Sequence, residues 1–244
     1  MSDAPTNPKR PRFATTRWSR VLSAGAGDSE QALSELCEQY WYPLYAYARR
    51  RGHDVEEARD LTQAFFAKIL EKQDLRAADP TRGRFRTFLL AAMKNFLAGE
   101  WRKQNTQRRG GGRALLSLDF DSAEKSYGLE PYHQLSPDAI FDRRWAMSLL
   151  ERALGDLEER YQQSGQGPLF EALREYLGAG DSSLPYADLS KRLEMSEGTI
   201  RTAASRLRQR WRARLIELVG ETVQDENDVQ DELGRLISFL TPPG

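Results

Sequence analysis

Cysteine and histidine are almost absent from this chain, which has one cysteine, Cys37, and two histidines, His53 and His133. A single cysteine cannot form an internal disulfide, which fits a reducing cytoplasm. The histidines stand far apart, so local spacing assembles neither a metal cluster nor a His-based catalytic triad. Gly110–Gly112 lack the lysine and hydroxyl residue of a phosphate-binding loop. We expect no enzyme, no metal and no cofactor; a helical nuclease built on scattered acids is a minor alternative.

Long apolar runs are also missing. No stretch approaches the roughly 20 apolar residues of a membrane helix. The N-terminal MSDAPTNPKRPRFATTRW is polar and proline-rich, without the apolar centre of a signal peptide. The 244 residues allow one large or two small domains. Strand signals are nearly absent, and leucine, alanine and arginine abound, so we expect a helical, soluble, cytoplasmic protein with no membrane partner.

The segment YADLSKRLEMSEGTIRTAASRLRQRWRARL, residues 186–215, predicts two helices around a short break. Ser196 is a good N-cap for the second helix, and Glu197 places a carboxylate at its positive end. The first helix is short and carries Tyr186, Leu189 and Leu193 on one side. This arrangement is typical of a helix-turn-helix. The second helix has an apolar stripe at helical spacing: Ile200, Ala203, Ala204, Leu207, Trp211 and Leu215.

The other side of this second helix carries side chains that suit phosphates and base edges. A solvated basic face of an ordinary helix is the alternative interpretation, but the break and the short preceding helix favour DNA binding. These side chains are Arg201, Thr202, Ser205, Arg206, Arg208, Gln209 and Arg212.

The net charge is zero, with 36 basic and 36 acidic residues, yet the charges are segregated. Residues 82–113 contain one acid, Glu100, and the helix-turn-helix is a second basic block. Two basic blocks predict two nucleic-acid surfaces on one chain. The basic residues of the first block are Arg82, Arg84, Arg86, Lys94, Arg102, Lys103, Arg108, Arg109 and Arg113. The acids lie elsewhere: Asp119, Asp121, Glu124, Glu130, Glu217, Glu221, Asp225, Glu226, Asp228, Asp231 and Glu232.

The N-terminal part predicts three helices. The first covers Gln31–Arg51, and Pro43 should bend or split it. A capping box at Asp54 begins the second, Val55–Glu71, and the third covers Phe85–Gln104. The apolar residues expected on their buried sides are Leu33, Leu36, Tyr40, Leu44, Tyr47, Ala58, Leu61, Phe65, Ile69, Phe85, Phe88, Leu89, Ala92, Met93 and Phe96.

The RRGGGR segment, residues 108–113, predicts a hinge. Weak periodicity after it predicts an extended acidic linker, and helices resume near Ala139. Past residue 215 an acidic helix carries an apolar stripe, which either folds back on the second helical domain or docks a regulator; we expect the first. The stripe comprises Val229, Leu233, Leu236, Ile237 and Leu240.

Two motifs resemble bacterial RNA polymerase sigma factors of the extracytoplasmic-function (ECF) group. DLTQAFFAKIL from Asp60 and FRTFLLAAMKNFLAGEWRKQ from Phe85 resemble the second conserved region, and SEGTIRTAASRLRQRW resembles the fourth. TTRWSRVL and YWYPLYAYARRRG are similar to a planctomycete-type subgroup. The resemblance extends roughly over Thr15–Leu215. One departure is Gly99, where many members have an acid four residues after the asparagine.

The resemblance implies an all-α fold of two small helical domains joined by a flexible acidic linker. The expected organisation is a disordered tail at 1–14, a region 2-like domain at 15–107, the linker at 108–138, a region 4-like helix-turn-helix domain at 139–215 and an acidic helical extension at 216–244. The linker's acids would thread the RNA path of the polymerase, or the linker is disordered and solubilising.

The resemblance also implies the contacts. Asp60 and Gln63 would dock on core polymerase, although an ordinary solvated acid is the alternative for Asp60. Trp101 would stack on a base or serve in packing. The expected minus-ten contacts are Lys94, Asn95, Trp101, Arg102 and Lys103. The expected minus-thirty-five contacts are Thr199, Arg201, Thr202, Ser205, Arg206, Arg208, Gln209 and Arg210, with Arg208 and Arg210 on the DNA backbone.

The resemblance thus implies an alternative sigma factor that directs transcription initiation. Its partners would be core RNA polymerase (the largest-subunit clamp helices and the flap), promoter DNA, and a regulator such as an anti-sigma protein or a Ser/Thr kinase. The competing hypothesis is a stand-alone helix-turn-helix regulator. That hypothesis explains the second basic block but gives no role to DLTQ or to the first block.

Overall fold

The computed structural model describes residues 29–72, 84–104, 118–128, 135–177, 186–223 and 227–241. Within these ranges the secondary structure is helical, without a strand, which confirms the all-α prediction. None of the helices found there is long and apolar enough to cross a membrane. The helices are α1 (Ser29–Arg50), α2 (Val55–Lys72), α3 (Phe85–Gln104), α4 (Phe120–Gly128), α5 (Pro137–Gln163), α6 (Gly167–Leu173), a 3-10 turn (Arg174–Tyr176), α7 (Tyr186–Leu193), α8 (Glu197–Gly220) and α9 (Asp228–Leu240).

Helix α1 runs through Pro43 without a break, so the helix is not split there. Proline removes one backbone hydrogen bond and clashes with the preceding turn, at a cost of about 3 kcal/mol. Tyr40, Leu44 and Tyr47 are fully buried around it, and this packing outweighs the local cost. Cys37 lies in the same core, and its burial, the larger cause, together with the nearby acid, raises the pKa of the thiol to about 12.

Helices α2 and α3 form as their sequence patterns predict. The Glu57 backbone N–H donates to Asp54 Oδ1 at 2.8 Å, so Asp54 caps α2. Helix α3 begins at Phe85, and Leu89 and Met93 on its inner side are fully buried. The predicted apolar stripe of α2 is also buried: Ala58, Leu61, Phe65 and Ile69.

Residues 120–128 form helix α4, so the prediction of an extended flexible linker is wrong for these residues. Asp119 Oδ1 accepts a hydrogen bond from the Ser122 backbone N–H at 3.0 Å and so caps the helix. Phe120, Ala123 and Tyr127 are buried on one side. A nine-residue helix is not stable alone, so its packing against α1 decides its structure. Residues 108–117 and 129–134 of the predicted linker lie outside the described residues.

The buried apolar residues form two main clusters. The first contains residues from α1, α2, α3 and α4 and continues into the first half of α5, the end of α8 and α9. The second lies between the second half of α5, α6, the 3-10 turn, α7 and the first half of α8. Helices α5 and α8 therefore run through both clusters, and Trp211 packs against each. The predicted boundaries near 138 and 215 do not coincide with the division between clusters; that the domains are separable stays a prediction.

Helix α9 folds back onto α5 and α8. Val229 and Leu236 of its apolar stripe are buried, whereas Ile237 is 62% exposed. The helix also reaches the N-terminal helices, because Glu232 contacts Arg86 at the start of α3. Folding back was predicted, but contact with α3 was not.

Candidate nucleic-acid interface

The outer side of α3 carries three of the residues predicted for minus-ten contacts. Lys94, Asn95 and Trp101 are exposed, whereas Leu89 and Met93 of the same helix are fully buried. We call these three exposed residues the α3 strip. The backbone of Arg102 and Lys103 continues the helix, but their side chains are outside the described residues.

Trp101 is 67% exposed, so it is not a packing residue of either cluster. A large exposed ring on a helix that also presents a lysine and an asparagine suits an unstacked base. The packing alternative for Trp101 is therefore wrong within the described residues, and base stacking stays a prediction.

Lys94 already has an anionic partner in this structure. Its Nζ donates to Asp138 Oδ2 at 2.5 Å, and both side chains are about half exposed. Asp138 lies in the first turn of α5. A phosphate that binds Lys94 therefore competes with a carboxylate of the same chain for this ammonium group.

Two arginines of the first basic block, Arg84 and Arg86, are turned inward. The side chain of Arg86 is 7% exposed and that of Arg84 is 23% exposed, and both contact the fully buried Glu232. The prediction that this whole block forms a nucleic-acid surface is wrong for Arg84 and Arg86. Their partner is 146 positions beyond Arg86, so no local pattern could indicate it.

Helices α7 and α8 follow one another with a tight connection. Glu194 has a φ of 53°, and Ser190 Oγ donates to the Met195 carbonyl oxygen at 2.6 Å. Ser196 Oγ accepts from the Thr199 backbone N–H at 3.2 Å, so Ser196 caps α8 as predicted. Leu189 of α7 and the inner side of α8 are buried in the second cluster.

The outer side of α8 presents five of the residues predicted for minus-thirty-five contacts. All five are exposed and recur at helical spacing, so one ligand can contact them together. Thr202 Oγ1 also donates to the carbonyl oxygen of Gly198 at 2.9 Å, and Thr199 Oγ1 lies 2.8 Å from Ser196 Oγ. Thr199 is thus part of the cap. The five residues, which we call the α8 strip, are Arg201, Thr202, Ser205, Arg206 and Gln209.

Arg208 and Arg210 are supported by neighbouring elements. Arg208 donates to the carbonyl oxygen of Tyr176 at 3.5 Å and is half-buried. Arg210 donates to the Tyr161 hydroxyl at 3.3 Å, and its guanidinium lies 5.6 Å from the ring centre. A guanidinium has five N–H donors, so the contact of Arg210 with Tyr161 leaves others for a phosphate.

An aromatic stack that no local sequence pattern indicates supports Arg201. The rings of Tyr176 and Tyr186 are stacked at 5.1 Å and 16°, and the Arg201 guanidinium lies 5.5 Å from the Tyr186 ring centre. A guanidinium held on a ring keeps its N–H donors in its own plane, directed sideways. Sequence spacing indicated only that Tyr186 belongs to an apolar stripe.

Asp60 and Gln63 of α2 lie off its buried stripe, as predicted. Asp60 is exposed and Gln63 is half-buried, beside the buried Leu61. Both are open to a protein partner.

Two of the acids predicted to thread a polymerase channel, Asp121 and Glu124, have partners within the chain, whereas Glu130 lies outside the described residues. Glu124 accepts hydrogen bonds from Arg49 Nε at 3.0 Å, Arg49 NH2 at 2.8 Å and the Tyr45 hydroxyl at 2.6 Å. Burial by itself would raise the pKa of Glu124, but these hydrogen bonds lower it below its usual value. Asp121 lies 3.4 Å from Arg59. In this structure α4 carries these acids against α1 and α2.

Residues 36–107 match the family model of sigma-70 region 2. The match supports a sigma factor of the sigma-70 family. The region 2 segment includes α2, α3 and most of α1, and therefore Asp60, Gln63 and the α3 strip. Region 2 implies binding of core RNA polymerase and promoter DNA. No curated protein and no solved structure matches the chain significantly.

Proposed function

We propose that the chain is an alternative sigma factor of the ECF group, planctomycete-type subgroup, which binds core RNA polymerase and selects promoters through minus-ten and minus-thirty-five contacts. The observation that carries the proposal is a region 2 segment on the same chain as a two-helix unit, α7 and α8, with an exposed basic side. It acts in the cytoplasm and catalyses no reaction of its own.

The minus-ten contacts are assigned to the α3 strip with Arg102 and Lys103. A single DNA strand is bound by cations that hold phosphates and by rings on which bases stack. Lys94 is the cation of the strip, Asn95 offers amide donors and acceptors, and Trp101 offers the exposed ring.

The minus-thirty-five contacts are assigned to the α8 strip, with α7 and α8 acting as a helix-turn-helix. The early turns of a recognition helix reach base edges in the major groove. Arg201 and Arg206 are the residues suited to guanine, while Arg208 and Arg210 hold the backbone. Thr199 acts through the α8 cap, which its backbone N–H helps to form.

The polymerase contacts are assigned to Asp60 and Gln63, which would meet the largest-subunit clamp helices; the α7–α8 unit would meet the flap. Regulation would come from an anti-sigma protein or a Ser/Thr kinase. The alternative, a stand-alone helix-turn-helix regulator, gives no role to the region 2 match or to these two residues.

Binding to core polymerase tests the proposal. The full chain should copurify with core RNA polymerase. Asp60→Arg combined with Gln63→Ala should weaken this binding at least about tenfold, since residues near the centre of an interface carry most of its energy. Glu159→Arg is the control, because Glu159 is exposed on α5, outside the α2 surface, and undergoes the same charge reversal. Failure of the wild-type chain to bind core polymerase would support the stand-alone regulator. Equal binding of the double variant and the control would refute the docking assignment.

A further inference from the structure

Helix α9 carries a carboxylate that is completely buried. Glu232 is 0% exposed, although it lies on an acidic helix near the end of the chain. Arg86 Nε donates to Glu232 Oε1 at 2.8 Å, and Arg84 Nε lies 2.6 Å from Glu232 Oε2. A buried carboxylate needs such partners because charge is costly to remove from water.

Arg86 is enclosed by α5 and α9 together. Its guanidinium also pairs with Asp142 and lies 4.8 Å from the Trp145 ring centre and 4.9 Å from that of Phe239. Burial alone would lower the pKa of Arg86, but the Glu232 and Asp142 carboxylates raise it above its usual value. One carboxylate and one ring come from each helix. Departure of α9 would therefore leave Arg86 half-enclosed and without its Glu232 partner.

The same part of α5 also contacts one residue of the α3 strip, Lys94. Asp138 and Asp142 are about one helical turn apart on α5, and Arg86 and Lys94 are about two turns apart on α3. Asp142 pairs with Arg86, and Asp138 pairs with Lys94. Helix α5 therefore links the two sites, because it pairs with Arg86, which α9 also contacts, and with Lys94.

We propose that α9 is an internal latch that keeps the chain in a closed form. In this form carboxylates of α5 and α9 pair with basic side chains of α3, which would otherwise be available to nucleic acid. Release of α9 loosens α5 from α3 and makes Lys94 available to a phosphate. The proposal rests on the proposed function in one respect, namely that the ligand of the α3 strip is a single DNA strand. Glu232 and Phe239 are the residues that hold the latch.

Two pairs of variants of the full chain test the latch. Glu232→Gln removes the buried charge, and Asp231→Asn removes the same charge from an exposed neighbour on the same helix. Phe239→Ala removes a ring from Arg86 without any charge change, and Ile237→Ala removes an exposed apolar side chain from the same helix. The second pair keeps the test decisive if Glu232→Gln does not fold.

Two measurements are made on each variant. Amide hydrogen exchange in 228–240 reports release of α9. Fluorescence anisotropy reports binding of mixed-sequence single-stranded DNA of about 20 nucleotides, since phosphate contacts do not depend on sequence. Glu232→Gln and Phe239→Ala should exchange faster in α9 and bind the DNA about tenfold more tightly, as when an open fraction of roughly one tenth becomes dominant. Both control variants should behave like the wild type.

Two results would overturn the latch. If Glu232→Gln and Phe239→Ala exchange like their controls, these residues do not hold α9. If they exchange faster but bind the DNA no more tightly than their controls, α9 is a packing element that covers no ligand site. Neither measurement involves polymerase, so loss of polymerase binding by the wild type would reject the proposed function and leave this test intact.

Discussion

At the scale of single residues, Arg201 shows how a neighbouring ring can orient a charged side chain. Its guanidinium lies over Tyr186, which is itself stacked on Tyr176. A mobile arginine attracts phosphates of any sequence, whereas recognition of a guanine edge requires the N–H fork in a fixed orientation. Because the stack holds the guanidinium, we expect Arg201 to read a base.

This role of Tyr186 predicts a difference between two substitutions. Tyr186→Ala should reduce the preference for the chain's own upstream element over a scrambled duplex about fivefold, the effect of losing roughly 1 kcal/mol of cation–π support. Tyr186→Phe keeps the ring and should keep the preference. The element is first selected from random duplexes, and both variants are then titrated on the two DNAs. Equal loss of affinity on both DNAs would show that Tyr186 supports the fold of the unit and not its specificity.

The contacts of Glu124 predict that the stability of the folded chain depends on pH. Its pKa is lowered in the folded chain from the ordinary 4.5, so its contribution to stability is present above that value and is lost as the pH falls through the folded pKa. Glu124→Gln should cost about 1 kcal/mol at neutral pH, and the difference from the wild type should shrink below about pH 4.5. Urea unfolding at several pH values measures it.

A matched control for Glu124 is Glu175→Gln, since Glu175 is exposed. The free energy of unfolding of the Glu175→Gln variant should equal that of the wild type at every pH measured. If the Glu124→Gln difference stays constant down to acid pH, the contacts with Arg49 and Tyr45 do not depend on the carboxylate charge.

At the scale of elements, α4 shows how a short helix depends on its neighbours. The Phe120 ring makes edge contacts with Trp41 at 5.2 Å and Tyr45 at 5.4 Å. The Arg59 guanidinium lies 5.0 Å from its centre. One residue thus joins α4 to both α1 and α2.

Phe120→Ala should therefore lower the free energy of unfolding by about 3 kcal/mol, as for other buried aromatic residues. Ser122→Ala, at an exposed position of the same helix, should change it by no more than about 0.5 kcal/mol. Chemical denaturation measures both. A similar small effect for Phe120→Ala would show that α4 is not part of the core in solution.

At the scale of the whole molecule, two hydrophobic clusters share the helices α5 and α8. The 24 residues of α8 span about 36 Å, so one end lies in each cluster. Helix α8 therefore joins the surface proposed to bind DNA to the helices that surround the start of α3.

Substitution of Trp145, which is fully buried in the first cluster, tests how stability is divided between the two clusters. Trp145→Ala should cost about 3–5 kcal/mol and should lower amide protection most in α3 and α9, which meet at this ring. Phe170→Ala, at a fully buried position of the second cluster, should instead affect α6 and α7 most. Hydrogen exchange compares the two variants. Equal loss of protection in all helices for both would mean that the two clusters unfold as one unit.

The sequence by itself determined the bounds of several helices and the sides they expose. Caps such as Asp54 and Ser196 act within three residues of a helix start, and apolar spacing assigns the inner side of α2, α3 and α8. Local patterns are sufficient there, because the interactions join residues that are close in sequence. They therefore also indicated the exposure of Lys94 and Arg201.

Only the tertiary structure decided the remaining features. Pro43 stays within a continuous helix because its neighbours are buried, and residues 120–128 are helical because Phe120 packs on α1. Arg86 turns inward because its partner Glu232, 146 positions away, arrives from α9. An arginine in a basic block has the same local sequence whether it faces DNA or a buried carboxylate. The burial and charge of distant residues decide between the two, because the desolvation of a charge depends on everything that surrounds it.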